Sequence, residues 1–279
     1  MFAIRFSQEL IINQSLRIEY MSKLIKHLMV LVLATTLVAC GGGGGGSSSS
    51  NACSDLNLKV FGGDQCNFER SPVVAIVGFS AGGLPISNCS ATMVTVNDAL
   101  TAAHCAQVAA SPGGAAVFAD GEFYPIVEGR NHPFYNGQVD SPYDVAMITI
   151  GAVLDIGPVP LLVSDPIAKG EDVTIFGYGK NEDSGFLPQA SDFRAGFMEI
   201  GVTTPFQFAA AFDSTGSAIC QGDSGGPATQ TTDGITSVVG VTSFTVNGCQ
   251  EGSISGFVNI QNPEIYEFIR GYAADVTLR

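Results

Sequence analysis

Residues 220–227 read Cys220-Gln221-Gly222-Asp223-Ser224-Gly225-Gly226-Pro227. The glycines wind a turn around one hydroxyl, and a turn alone would not need Asp-Ser in its middle. A serine hydroxyl is a poor nucleophile at neutral pH. It needs a neutral imidazole to take its proton, and the imidazole needs a carboxylate to hold its tautomer. The chain has 3 histidines, and His27 lies in an apolar N-terminal segment. His104 stands in Leu100-Thr101-Ala102-Ala103-His104-Cys105. Asp144 stands in Tyr143-Asp144-Val145-Ala146-Met147-Ile148, where the apolar run predicts a strand that buries the carboxylate. Asp140, four residues earlier, is followed by no such run. The three groups come in the order His, Asp, Ser.

Gly222–Gly226 also fits G-x-S-x-G, the nucleophile elbow of α/β-hydrolases. That arrangement requires a histidine after the serine, and none follows Ser224. The order His, Asp, Ser, with the strings TAAHC and GDSGGP, instead resembles the trypsin/chymotrypsin-like serine proteases, from about Val60 to the C-terminus. Asn131-His132-Pro133-Phe134-Tyr135-Asn136 resembles the HPxYN stretch that precedes the catalytic Asp in that family. The resemblance implies an all-β fold of two six-stranded antiparallel β-barrels with a C-terminal helix. It implies His104, Asp144 and Ser224 as the catalytic residues, and the N–H groups of Gly222 and Ser224 as the oxyanion hole. His132 would be a structural loop residue and not a ligand. Short apolar runs agree with such a fold: Val73–Val77, Val145–Ile150, Val173–Gly177 and Ser237–Val241, punctuated by Gly, Pro, Asn and Asp. Over Gln261–Arg270 the apolar Ile265, Phe268 and Ile269 fall at helical spacing.

The same resemblance extends to activation and specificity. Lys59-Val60-Phe61-Gly62-Gly63 is similar to the family's activation site, although Val-Phe replaces the usual Ile-Val. Cleavage after Lys59 would free the Val60 amine to pair with Asp223. Thr242-Ser243-Phe244-Thr245 resembles the strand that lines the primary pocket, with Phe244 in place of the usual Trp and Thr245 in place of a wall Gly. Ala218 falls at the pocket base, where trypsin carries an Asp, and Ile219 adds bulk beside it. This implies a narrowed apolar pocket that takes small aliphatic side chains. It should reject Lys and Arg, because nothing would compensate their desolvated charge. The enzyme would then need another protease to cut at Lys59.

The N-terminal region reads as an address, not as a fold. Lys23 and Lys26 precede an apolar stretch, Leu28–Ala39, too short for a comfortable membrane span. Leu37-Val38-Ala39-Cys40 resembles a bacterial lipobox, with Cys40 lipidated; the alternative is an ordinary signal peptide with a chance Cys. Gly41–Gly46 and Ser47–Ser50 form a flexible tether, which suits an anchor. Residues 1–20 precede a complete signal with its own Met, so Met21 is a candidate true start. The expected organisation is 1–39 signal region, 40–59 lipidated Cys, tether and propeptide, and 60–279 protease domain. Gly41 after Cys40 lacks an inner-membrane retention Asp, which points to the outer membrane or cell surface. Setting Cys40 aside leaves Cys53, Cys66, Cys89, Cys105, Cys220 and Cys249. An even number in an exported chain implies disulfides, without choosing among the pairings. The family implies Cys89–Cys105 and Cys220–Cys249, which leaves Cys53 and Cys66 on opposite sides of the Lys59–Val60 bond. No zinc-type spacing is present, and neither a metal nor a cofactor is expected.

Composition bounds the rest. The 279 residues carry 12 basic and 26 acidic side chains, for a net charge of −14. Residues 40–279 keep 8 basic and 24 acidic ones, for −16. Such a balance argues against nucleic acid, which needs clustered Lys and Arg. Hydrophobic residues at 46% exclude an acidic disordered chain. The expected partners are a protein or peptide substrate, an activating protease and a membrane reached through Cys40, with the protein a monomer. The competing readings are a non-catalytic binding protein on the same scaffold and an esterase.

Overall fold

The computed structural model describes residues 64–65, 70–180, 187–189, 192–212 and 217–279, all within one unit that spans Ser50–Arg279. Lys59, Val60, Cys40, Cys53 and Cys66 lie outside the described residues. The first half is a closed antiparallel barrel. Its strands are β2 (Val73–Phe79), β3 (Pro85–Met93), β4 (Asp98–Thr101), β5 (Ala115–Ala119), β6 (Glu122–Asn131) and β7 (Ala146–Ile150), in the order β2-β3-β4-β7-β6-β5. Its interior holds Ile76, Ala91, Met93, Ala99 and Ile148, all fully buried. Successive residues of a strand face opposite sides. In β2, Val74 and Ile76 enter this core, whereas Val73 and Ala75 join a second cluster with Tyr178, Phe193 and Ala195. That double burial explains the unbroken apolar run Val73–Val77.

The second half is an eight-stranded sheet. It contains β1 (Asp64–Gln65), β8 (Asp172–Gly177), β9 (Arg194–Glu199), β10 (Val202–Thr203), β11 (Gln207–Ala211), β12 (Pro227–Thr232), β13 (Ile235–Val246) and β14 (Ile254–Asn259). The order is β1-β9-β8-β12-β13-β14-β11-β10, and β9 also touches β11, so the sheet curls into a half-barrel. The expected two-barrel, all-β plan holds. The second half differs in detail, since the short strands β1 and β10 extend the run at its edges. Phe208 and Phe257 stack at 4.8 Å inside it. Such a pair adds about 1 kcal/mol beyond its buried area. Gly240 makes room for the stack, since a Cβ there would meet the Phe208 ring at 2.5 Å.

The C-terminal helix, here α2 (Pro263–Tyr272), starts two residues later than Gln261. Gln261 instead spends its side chain on the backbone of Leu162, Asp165 and Ile167. Asn262 caps the helix by accepting the Glu264 N–H at 2.8 Å, and Pro263 fills the first helical position, where no N–H is needed. Ile265 and Ile269 are fully buried, in a cluster that also holds Leu100, Met147 and Val258.

Candidate active site

Strand pairing brings the three chemical groups within one region. β4 runs antiparallel to β7, with Thr101 opposite Ala146. His104 follows β4 by three residues, on the short helix α1 (Ala103–Ala106), and Asp144 precedes β7 by two. The pairing therefore sets them side by side. His104 Nδ1 lies 2.8 Å from Asp144 Oδ2, and the His104 backbone N–H donates to Asp144 Oδ1 at 2.9 Å. Asp144 is fully buried, whereas the His104 side chain keeps 20% of its surface exposed. With a proton on Nδ1 facing the carboxylate, Nε2 presents a lone pair on the other side of the ring.

Ser243 adds a third donor. Its Oγ lies 2.6 Å from Asp144 Oδ2 and 2.5 Å from the Val139 carbonyl. The register between β13 and β14 explains its aim. Thr242 pairs with Phe257 and Phe244 with Gly256, so Ser243 is the extra residue of a β-bulge. A bulged residue leaves the ladder and can turn its side chain elsewhere, here towards Asp144.

Ser224 lies in the turn before β12. Its carbonyl accepts the Ser90 N–H at 2.8 Å, and Cys105 Sγ approaches the same oxygen at 3.4 Å. The turn thus abuts the segment that carries His104. Ser224 Oγ makes no hydrogen bond to His104 Nε2 in this structure. Apo sites of this kind often tighten only once substrate is bound. Gly222 has φ +100, and a Cβ there would meet Asn88 Nδ2 and the Tyr178 carbonyl at 2.9 Å each. Only glycine satisfies both the dihedral and the space. Among the described residues, neither the Gly222 nor the Ser224 N–H has a protein acceptor.

Asp223 turns inward. Its Oδ1 accepts the Gly179 N–H and its Oδ2 the Cys220 N–H, both at 2.8 Å. Burial pushes its carboxyl up to about 7, against the pull of those two N–H groups and the charge of Arg194. The room for Asp223 comes from Gly177 and Gly179, where a Cβ would collide with the carboxylate. Arg194 stands opposite Gly177 across the β8–β9 ladder, on the same face.

The expected pairs Cys89–Cys105 and Cys220–Cys249 are both formed, with Cα–Cα distances of 6.0 and 5.1 Å. Cys89, His104 and Cys105 come close enough to suggest a metal cluster, but the two sulfurs are joined to each other and offer no thiolate. His132 sits apart from the three groups. Its Nδ1 accepts the Phe134 N–H, its Nε2 faces the Glu264 carbonyl at 3.2 Å, and its ring stacks on Tyr143 at 4.7 Å.

Of the expected pocket residues, Ala218 and Ile219 are buried, Ser243 serves Asp144, and Thr245 is exposed with Oγ1 donating to the Gly248 carbonyl. Phe244 lays its ring over Gly256, which leaves no room for a Cβ. Sequence reasoning missed Ser255. It pairs with Thr245 across the β13–β14 ladder, is fully buried, and accepts the Ile219 N–H on its Oγ at 3.2 Å.

The family model described as Trypsin matches residues 60–265. The chain belongs to the trypsin family. It is similar to human chymotrypsin-like elastase family member 1, 27% identical over 220 residues, which cover 70% of this chain and 85% of that protein. It is also similar to trypsin of Simulium vittatum, at 26% over 234 residues, 74% of this chain and 90% of the relative. Trypsin 5G1 of Aedes aegypti matches at 24% over 220 residues, 71% of this chain and 79% of that protein. This trypsin-family member is a serine endopeptidase, and its substrate is a protein or peptide.

Proposed function

We propose that Ser224, His104 and Asp144 carry the peptide-bond hydrolysis. Ser224 Oγ attacks the scissile carbonyl while His104 Nε2 takes its proton and later returns it to the leaving amine. Asp144 holds the Nδ1–H tautomer and stabilises the imidazolium. The N–H groups of Gly222 and Ser224 receive the oxyanion, each worth a few kcal/mol in the transition state. The observation that carries this reading is the buried Asp144 with His104 on one side, together with two backbone amides, of Gly222 and Ser224, that have no acceptor among the described residues.

The pocket takes small aliphatic side chains before the scissile bond. Supporting this are the buried Ala218, Ile219 and Ser255 where a Lys-binding pocket would need a carboxylate. Cleavage after Lys59 frees the Val60 ammonium, which pairs with Asp223. A buried carboxylate of raised pKa fits a group that awaits a cation. The protein is exported and lipid-anchored through Cys40, with 40–59 as tether and propeptide, at the outer membrane or cell surface. A Cys53–Cys66 disulfide keeps the cut enzyme on its anchor.

The test treats the protein with a fluorophosphonate before and after cleavage at Lys59, and then with peptide anilides bearing Ala, Val, Phe or Lys before the cleaved bond. Labelling of Ser224 and fastest turnover of Ala or Val support the proposal. A folded, cut protein that never labels would move it to the binding-scaffold class, and preference for Lys would overturn the pocket assignment. Release from membranes without reductant after cleavage would refute the Cys53–Cys66 link.

A further inference from the structure

Along β3, Cys89, Ala91 and Met93 point into the core of the first barrel. The alternate residue Ser90 faces the other way, towards the turn that carries Ser224. It is fully buried, and every polar atom it owns is used on the site's framework. Its N–H donates to the Ser224 carbonyl at 2.8 Å. Its Oγ–H donates to the Gly222 carbonyl at 2.8 Å, and the same Oγ accepts the Tyr178 N–H at 2.9 Å. Its own carbonyl accepts from Thr101 Oγ1 at 2.8 Å, on the segment that leads to His104.

Gly222 has no side chain to restrict its backbone and sits at φ +100. Its N–H shares a peptide plane with the Gln221 carbonyl, which accepts the Lys180 N–H at 2.7 Å, and its carbonyl shares one with the Asp223 N–H, which donates to the Cys220 carbonyl at 3.1 Å. Fixing the carbonyl on one side of it limits the orientations open to the N–H on the other. We propose that Ser90 is a positioning residue of the oxyanion hole, holding the Gly222 carbonyl plane through its hydroxyl so that, with Lys180 on the Gln221 carbonyl, the Gly222 N–H stays aimed at the substrate. The hydroxyl acts through Gly222 and does not touch substrate. This rests on the endopeptidase reading of Ser224 and deepens it.

Ser90→Ala removes only the oxygen, and Ser90→Thr keeps it. Both are compared with wild type by turnover of a peptide anilide per fluorophosphonate-titrated site, and by affinity for a peptide aldehyde whose adduct places an oxyanion in the hole. Ser90→Ala should lose about tenfold or more in kcat with KM within about twofold, and lose aldehyde affinity by a similar factor, because the lost interaction exists only in the transition state. Ser90→Thr should stay within about threefold of wild type. Should the Ala variant not fold, Ser90→Cys keeps the shape with a slightly larger atom while its thiol donates weakly, and it carries the same comparison. A lower melting temperature with unchanged kcat per titrated site would reduce Ser90 to a structural residue and overturn the proposal. A folded wild type that neither titrates nor turns over would sink the catalytic reading itself, and the proposal with it.

Discussion

Asp144 receives three donors while exposing no surface: His104 N–H, His104 Nδ1 and Ser243 Oγ. Loss of one bond to a buried charge costs roughly 1.5–3 kcal/mol. Ser243→Ala leaves the His104 contacts in place, so it should lower kcat about tenfold to a hundredfold through a less firmly held imidazole. Steady-state kinetics should show KM little changed; a pure KM effect would mean that Ser243 serves the pocket instead. Gly222→Ala is the harsher change, because its Cβ meets both Asn88 and Tyr178 and its φ of +100 disfavours any Cβ. It should cost about 10²–10³ in kcat, the scale of a lost oxyanion donor. Titration of Ser224 separates this from misfolding. At this scale the sequence was most informative. His104, Asp144 and Ser224 sit in short strings whose chemistry is local, and three histidines left little choice. Ser90 could not be read this way, since its four partners lie between 11 and 134 residues away.

Elements set the geometry that those strings only imply. The bulge at Ser243 and the pairing of Thr245 with Ser255 are properties of a ladder between β13 and β14. Nothing in the Cys249–Gly256 segment announces that register, because a one-residue slip would exchange the two faces. Ser255 was therefore invisible until the strands were paired. α2 offers a test at the same scale. His132 is buried between Tyr143 and Phe268, with Nε2 at the Glu264 carbonyl. Burial lowers its pKa below 6.5, against the pull of Glu264 through its carbonyl and its charge. A base with a depressed folded pKa contributes stability that is present above the unfolded pKa and lost as pH falls through the folded one. His132→Gln should thus lower the melting temperature near pH 7.5 and matter less below pH 6. An equal loss at both pH values would show that the ring's charge state is irrelevant to docking α2.

The site belongs to the whole molecule, since His104 and Asp144 leave the first barrel while Gly222, Ser224 and Ser243 come from the half-barrel sheet. Asp223 lies in the same turn as Ser224 and is where chain processing would act. Its carboxyl ionises near 3.8 when unfolded and is pushed up to about 7 by burial when folded. Between those values the folded state holds a proton that the unfolded state has released. Stability of the uncut chain should therefore be fully supported below about pH 4 and decline as pH rises towards 7. His132 acts in the opposite sense around 6.5, so the comparison must be a difference between variants. Asp223→Asn cannot ionise and should flatten the decline, leaving only the histidine's rise. Cleavage after Lys59 should also flatten it in the wild type, because the Val60 ammonium would pair with the ionised carboxylate and remove its penalty. Melting temperatures at pH 4, 5.5 and 7 for cut and uncut protein, with and without Asp223→Asn, decide the matter. If cleavage flattens the wild-type curve and leaves the Asp223→Asn curve unmoved, the new amine acts through Asp223. If it shifts both curves alike, the cut changes stability elsewhere and Asp223 is a buried acid held by Gly179, Cys220 and Arg194 alone.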